Sequence, residues 1–350
     1  MSHKRQFTPR RDATPPFFAG IDLGGTNIKV GLVDDEGRTL AWLSEPTHVA
    51  KGPEYGARRM GEAVLKVVEQ AGLAKSDVVA VGLGTPGMMD IPAGMLLTPG
   101  NLQGWWHFPI RDRVSHYCGL PVVFANDAGA AAYGEFWVGR GRAFHSMVLF
   151  TLGTGVGGGI IIGDLSLEGE NSAGAELGHI IIDYNDEARL CTCGHRGHLE
   201  AYASATAVVH RIQEALSTGG ASSLNARLRA GSELTSLVVA EEAERGDDLS
   251  RSIVLETARY LGIGTVSVMH TIDPSGVLIG GAMSFGGHDA QLGRDFLARI
   301  REEVAHRAIG VLAERTEIDF AALGGDAGYI GAAGIARLAY RKKTGAASPA

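Results

Sequence analysis

The sequence predicts an α/β chain made of two related halves facing each other across a cleft, and three observations carry that expectation. Phe17-Phe-Ala-Gly-Ile-Asp22 reads as a short apolar strand, Leu23-Gly-Gly-Thr-Asn27 as a glycine turn, and Ile28-Lys-Val-Gly-Leu-Val33 as a second strand. Roughly 130 residues later, Met147 to Ile162 repeats the layout around Thr151-Leu-Gly-Thr-Gly155. Between and beyond the hairpins, short buried-strand runs alternate with stretches of helical spacing, the pattern of layered α/β folds.

Taken in order, residues 53–72 place Met60, Val64, Leu65, Val67 and Val68 on a helical stripe that stops at Gly72. Val78 to Leu83 is a buried strand, followed by a glycine- and proline-rich loop from Gly84 to Pro109. A helix over Arg111 to Cys118 leads to the strand Pro121 to Ala125, the dipeptide Asn126-Asp127 and an alanine-rich helix, Ala128 to Tyr133. Helical spacing resumes from His198 to Leu216 and, after a polar loop, over 233–245 and 247–272. The strand Gly276 to Ile279 ends in Gly280-Gly281, and Leu323-Gly-Gly-Asp326 turns into a last helix expected to stop at the basic Arg341-Lys-Lys343.

A chain of 350 residues is long enough for two domains, and a hydrophobic content of 45% fits a buried core. The mild net charge of -7 leaves no footprint for nucleic acid. The 50 glycines are about twice average usage and clustered, which points to tight turns and close backbone approach to ligands. With three cysteines, two of them in one motif, no disulfide framework is expected and the compartment reads as a reducing cytoplasm; Cys118 reads as a small core residue. Residues 1–16 are basic without an apolar run, so they read as a disordered tail rather than a signal peptide, and no segment is long and apolar enough for a membrane helix.

Three motifs carry chemistry. Glycine turns with Thr aim backbone N–H groups at one point, a nest suited to phosphate oxygens. Both hairpin turns have that make-up, and neither is a Walker loop or a dinucleotide fingerprint. Alone, each reads equally as a plain turn; as a pair, with Asp22 at a strand end, they point to phosphate. Asp127, after a strand end, reads either as a helix cap or as a general base for an attacking hydroxyl. Finally His179, Cys191, Cys193 and His198 supply the number and type of donors that tetrahedral zinc takes. Glu176 and Glu200 bracket them, which suggests a metal that shapes a site for a hydroxyl-rich ligand.

Asp22-Leu-Gly-Gly-Thr-Asn27, Asn101-Leu-Gln-Gly-Trp105, Asn126-Asp-Ala128, Glu176-Leu-Gly-His179, Cys191-Thr-Cys-Gly194 and Leu278-Ile-Gly-Gly281 stand in the order found in the ROK family (repressor, open reading frame, kinase), which the chain resembles over residues 17–338. Within the family it looks most like the ATP-dependent glucokinases. The resemblance implies an actin-like (ribonuclease H-like) two-domain ATPase fold with a cleft between the domains, assembled as a homodimer or tetramer. It implies a smaller domain over 17–127 completed by a helix at 328–345, and a larger one over 128–327 holding the zinc segment 179–198. The sugar would meet Asn101, Asn126, Asp127, Glu176, His179 and Glu200, with Asp127 taking the proton of the 6-hydroxyl of glucose. ATP phosphates would lie on Asp22, Gly24, Gly25, Thr26, Asn27 and Lys29 and on Thr151, Gly153, Thr154 and Gly155, with Mg²⁺ near Asp22 and the adenosine beside Gly280 and Gly281. One structural zinc would sit on His179, Cys191, Cys193 and His198, with the other ring nitrogen of His179 turned to the sugar.

Two residues depart from the family pattern. His198 stands where the family has a third cysteine, which zinc accepts. Ala175 stands where it has glycine, and if the position needs a positive φ, a local backbone adjustment is expected. Trp105-Trp106 reads equally as a cap on the sugar or as loop packing, Asp326 as a helix cap outside the site, and the basic ends as solvated tails. Kinases for N-acetylglucosamine, N-acetylmannosamine, mannose, fructose or allose share the motifs. A sugar-responsive regulator is set aside, because about twenty residues before Ile21 are too few for a three-helix DNA-binding module.

Overall fold

The structure of the protein is a computed structural model that describes residues 5–345. Its strands are β1 (Phe17–Leu23), β2 (Asn27–Val33), β3 (Thr39–Pro46), β4 (Val78–Thr85), β5 (Met88–Asp90), β6 (Met95–Thr98), β7 (Val122–Asn126), β8 (Ser146–Leu152), β9 (Val156–Ile162), β10 (Leu165–Ser166), β11 (Gly276–Gly281) and β12 (Glu317–Phe320). They form two five-stranded sheets, ordered β3-β2-β1-β4-β7 and β10-β9-β8-β11-β12, and the small hairpin β5-β6. In the first sheet β1 pairs antiparallel with β2 and parallel with β4, and β4 runs parallel with β7. The second repeats the order, with β8 parallel to β11 and β11 to β12. The repeat read from the two hairpins is therefore a repeat of whole mixed sheets.

The chain divides into two compact units. The first runs through Ala143, takes in Gly159–Ala175 and resumes at Gly325; the second is Phe144–Gly158 with Glu176–Gly324. In the first unit the helix Pro53–Gln70 opens on Pro at its first position and Glu54 in its first turn, both suited to a helix N-terminus. Its Met60, Val64 and Val67 are fully buried with Ile21, Val30, Val81 and Leu83 of the sheet. Each such side chain contributes about 1.5–3 kcal/mol. The helix Asp127–Trp137, read from sequence as the start of the second domain, lies in this unit and packs on the last helix, Ala327–Thr344.

Several expectations need correcting. The segment before Phe17 is tied down from Arg5 on: the Thr8 N–H donates to Thr39 O (2.8 Å) and the Thr14 N–H to Asp34 Oδ2 (3.0 Å). The basic end of the last helix is not solvated throughout, since Arg337 and Arg341 both bond Asp35, at 2.8 and 2.6 Å. The loop 84–109 contains the hairpin β5-β6, and its Trp105 is a core residue: it is fully buried, its Nε1 donates to Val49 O (3.1 Å) and its ring lies against Gly56. Trp106 is 61% exposed. The helix expected from His198 to Leu216 breaks at Ser204, which caps Ala205–Ser217 by accepting from the Ala207 N–H at 3.1 Å. The strand β3, the helix Gln291–Arg307 and the strand β12 had no reading from sequence.

Ala175 holds φ at +60°, so the backbone has not adjusted to the missing glycine. Its neighbour leaves no room for one: a Cβ on Gly174 would lie 2.5 Å from Leu167 O. A left-handed alanine costs roughly 1–2 kcal/mol, of which the added unfolded-state freedom of glycine takes back about half to one. Ala175→Gly is therefore expected to raise stability by about 0.5–1 kcal/mol, read by urea unfolding; an unchanged or lower midpoint would mean that the strain is relieved elsewhere.

Candidate functional site

In the first unit the candidate residues gather at one edge of the sheet. β1, β4 and β7 run parallel, and their register aligns Asp22 with Gly84 and Gly84 with Ala125, which brings Asp22, Thr85 and Asn126 to the C-terminal ends of three adjacent strands. Ligands of open α/β sheets bind at such ends. Asn126 caps the following helix, its Oδ1 accepting from the Ala128 and Gly129 N–H groups at 2.9 and 3.1 Å. The cap leaves Asp127 at the first helical position, where its Oδ1 also accepts from the Ala128 N–H at 2.8 Å.

The turn of the first hairpin is closed by the Gly24 N–H donating to Asn27 O (2.9 Å), and Gly25, Thr26 and Asn27 are exposed. Thr47 braces it from β3's end, its hydroxyl donating to Gly24 O (2.6 Å) and its N–H to Thr26 O (2.9 Å). Asn101 lies against the same turn, where a Cβ on Gly25 would come within 3.1 Å of Asn101 O. Lys29 Nζ pairs with Asp22 Oδ2 at 3.1 Å and donates to Gly325 O at 3.3 Å. The sequence offered no sign of Thr47; a threonine just past a strand end carries no distinctive spacing.

In the second unit the register pairs Gly280 with Thr151 and Gly281 with Leu152, so the second hairpin and Gly280-Gly281 are side by side. Gly281 holds φ at +93°, and a Cβ there would lie 2.2 Å from Leu152 O, so glycine is required. Past it opens a cavity of about 510 Å³ lined by Leu237, Ala240, Met283, Phe285 and Leu292 among others. The turn Gly153-Thr-Gly155 is braced by the start of Ala205–Ser217: the Ala205 N–H donates to Gly153 O (2.9 Å) and the Thr206 hydroxyl to Thr154 O (2.8 Å). Ser204 and Thr206 escaped the sequence reading, although a Ser at a helix start is a recognisable cap.

His179, Cys191, Cys193 and His198 come together as the spacing predicted, with one donor atom from each lying within 4.8 Å of the others. His179 Nδ1 is 3.3 Å from His198 Nδ1 and 3.8 Å from Cys191 Sγ, and Cys193 Sγ is 3.2 Å from His198 Nδ1. Donors around a tetrahedral zinc, at about 2.0–2.3 Å from the ion, lie roughly 3.3–3.8 Å apart. The set therefore fits such an ion. Burial, then His179 and His195, hold His198 below its ordinary pKa, the direction that favours the uncharged ring a metal binds. Burial pushes the Cys191 thiol up to about 11, a cost that a cation on the sulfur removes.

The two bracketing acids behave differently. Glu200 is engaged: its Oε2 accepts from the Val156 N–H (3.0 Å), and its Oε1 from the Thr192 hydroxyl (2.6 Å) and the Cys191 thiol (3.4 Å). It fastens the cysteine loop to the second hairpin. Glu176 faces His179, its Oε2 lying 3.9 Å from Nε2, the ring nitrogen turned away from the cluster. Burial raises its carboxyl above the ordinary range, Glu200 adding to the shift and His179 opposing it.

Comparison with known proteins agrees with this arrangement. The model of the ROK family matches residues 18–339. The glucokinase of Halalkalibacterium halodurans is 33% identical over 315 residues, 90% of this chain and 93% of that protein. A ROK hexokinase from Thermus thermophilus superposes with a TM-score of 0.78 at 31% identity, over 93% of this chain and 99% of that one. A ROK family glucokinase from Streptomyces griseus, in complex with glucose and AMPPNP, gives 0.75 at 35% identity over 92% and 99%. The two mixed sheets are those of the actin-like ATPase fold. Strand order, the cysteine-histidine cluster and similarity along nearly the whole length agree, and the chain belongs to the ROK family.

Proposed function

We propose that the protein is an ATP-dependent hexose kinase that phosphorylates the 6-hydroxyl of glucose. The observation that carries the reading is the register that sets Asp22 and Asn126-Asp127 on neighbouring ends of one parallel sheet, the first beside a glycine turn and the second at a helix start. The kinase relatives support it, and the S. griseus enzyme was seen with glucose and an ATP analogue.

In this reading Asp127 accepts the proton of the 6-hydroxyl as the oxygen attacks the γ-phosphorus, the bond from that phosphorus to the β,γ-bridging oxygen breaks and ADP leaves, while Asn101 and Asn126 orient the sugar. Phosphoryl transfer asks little more of a protein than in-line positioning and charge neutralisation. The turn Gly24 to Asn27 with Lys29, and the turn Thr151 to Gly155, are each read as a phosphate cradle. Mg²⁺ beside Asp22 would neutralise phosphate charge. The cavity past Gly280-Gly281 accepts the adenine, whose apolar faces suit Leu237, Met283 and Phe285. Glu176 and His179 Nε2 take sugar hydroxyls, and Glu200 serves the sugar mainly by holding the loop. The cysteine-histidine cluster holds one zinc, which supplies geometry rather than chemistry. It fixes the His179 ring, so Nε2 stays on the sugar side. We place the enzyme in the cytoplasm and expect a homodimer. The alternative reading is a kinase for another hexose, such as N-acetylglucosamine, N-acetylmannosamine, mannose, fructose or allose.

A coupled assay over glucose, N-acetylglucosamine, N-acetylmannosamine, mannose, fructose and allose, with ATP, GTP and polyphosphate, tests the reading. Glucose with ATP is expected to give the highest kcat/KM, and preference for another pair would move the assignment. Asp127→Ala is expected to lower kcat by about 10²-fold or more while glucose binding, followed by calorimetry, stays measurable. Retained turnover would take Asp127 out of the base role.

Metal analysis of the purified protein is expected to find about one zinc per chain. Cys191→Ser should lose both the zinc and most of the glucose affinity, and a metal-free wild type with full activity would refute the zinc assignment.

A further inference from the structure

The family match begins at residue 18, yet the chain before it reaches the loop that enters the last helix. The arm runs along the first sheet through Thr8 and Thr14, and at its start Arg5 lies over Trp42, the guanidinium carbon 3.6 Å from the ring centroid. Arg5 forks onto Asp326, its Nε donating to Oδ2 at 2.9 Å and its Nη2 to Oδ1. Both side chains are about three-quarters shielded, at 23% and 24% exposure. Asp326 makes no capping bond to the helix Ala327–Thr344 that follows it, which corrects the cap read from sequence. Its partner is the arm.

The residue before Asp326 is Gly325, whose carbonyl accepts from Lys29, and Lys29 also pairs with Asp22. Gly328 completes the contact, since a Cβ there would lie 2.6 Å from Asp22 Cγ. Two cations and two carboxylates thus meet around the four residues Gly325 to Gly328. An ammonium on a flexible stem goes to whichever carboxylate is unpaired, whereas a guanidinium holds one carboxylate with two bonds and stacks on an aromatic ring.

We propose that Arg5 is a positioning residue for the first hairpin: by occupying Asp326 it keeps Lys29 on Asp22. The inference rests on the reading of that hairpin as a phosphate cradle. Without Arg5, Asp326 is an unpaired carboxylate one residue from the carbonyl that Lys29 already holds, and it draws the ammonium away from Asp22 and from the phosphates.

Calorimetric titration of the full chain with Mg·ADP tests this without reference to the sugar. Arg5→Ala is expected to weaken binding about tenfold, the size of one lost charge-assisted contact. Asp326→Asn alone should bind within about twofold of wild type, and adding it to Arg5→Ala should restore affinity, because the rival carboxylate is gone. Should Arg5→Ala not fold, Arg5→Lys, which keeps the charge without the fork, is expected to weaken binding less and to be rescued in the same way. Wild-type affinity in Arg5→Ala, or a double variant as weak as the single, would overturn the proposal; the second result would make the arm a plain structural brace. Asp22→Asn separates the two levels. If it binds Mg·ADP as wild type does, the phosphate reading falls and takes the inference with it; if it is weakened while Arg5→Ala is not, only the inference falls.

Discussion

The first unit depends on one contact: the last helix lies backbone to backbone on the first sheet. A Cβ on Gly20 of β1 would sit 1.8 Å from Tyr329 O, and one on Gly82 of β4 would sit 1.8 Å from Ala332 O. On its other side the same helix meets Asp127–Trp137 as closely, with a Cβ on Gly331 falling 1.6 Å from Ala130 O. No side chain separates these elements, so the strands set the height of the helix directly. The consequence reaches the site. That height places Gly328 against Asp22, and it brings Gly325 and Asp326 to Lys29 and Arg5. Small shifts are felt in such an interface, because interiors are packed as densely as organic crystals.

The second unit has a comparable device in Glu200. One carboxylate accepts from the first backbone N–H of β9, from Thr192 and from Cys191, so it ties the cysteine loop to the second hairpin. Gly178 adds a second tie, since a Cβ there would lie 2.1 Å from Val156 O. The segment that carries Glu176 and His179 is thereby pressed on the same residue that Glu200 holds. A metal on the cluster would close the remaining freedom, that of the His179 ring.

Most of the site was legible in the sequence because its parts are local. Glycine turns between apolar runs, a Cys-Thr-Cys step and an Asn-Asp pair are each read within a few residues, and the hairpins, the strand ends and the four-residue cluster were found where expected. What escaped depends on distant partners. Trp105 reads equally as ligand cap or core until Gly56 is seen beneath its ring. The arm before Phe17 has the composition of a tail, and its bonds go to Thr39, Asp34 and Asp326, which no local pattern announces. β12 is a four-residue strand with two acidic residues, too short and polar to give a period. Ala175 was read as a conflict to be relieved by the backbone; the surrounding chain, with Gly174 locked against Leu167, holds the strain instead.

The two hairpins share a topology but not their braces. In the first, Gly24 O and Thr26 O each accept from Thr47. In the second, Gly153 O and Thr154 O accept from Ala205 and Thr206. Different residues from different elements thus engage the turn carbonyls in both halves. A glycine turn left to itself presents N–H and C=O groups alike, and an approaching anion meets attraction and repulsion together. Tying the carbonyls to neighbours removes much of the repulsion and holds the N–H groups in one orientation before the ligand arrives, which lowers the ordering cost of binding. Two unrelated sets of donors thus perform the same task on the two turns, which is what the proposed phosphate-cradle reading requires of both.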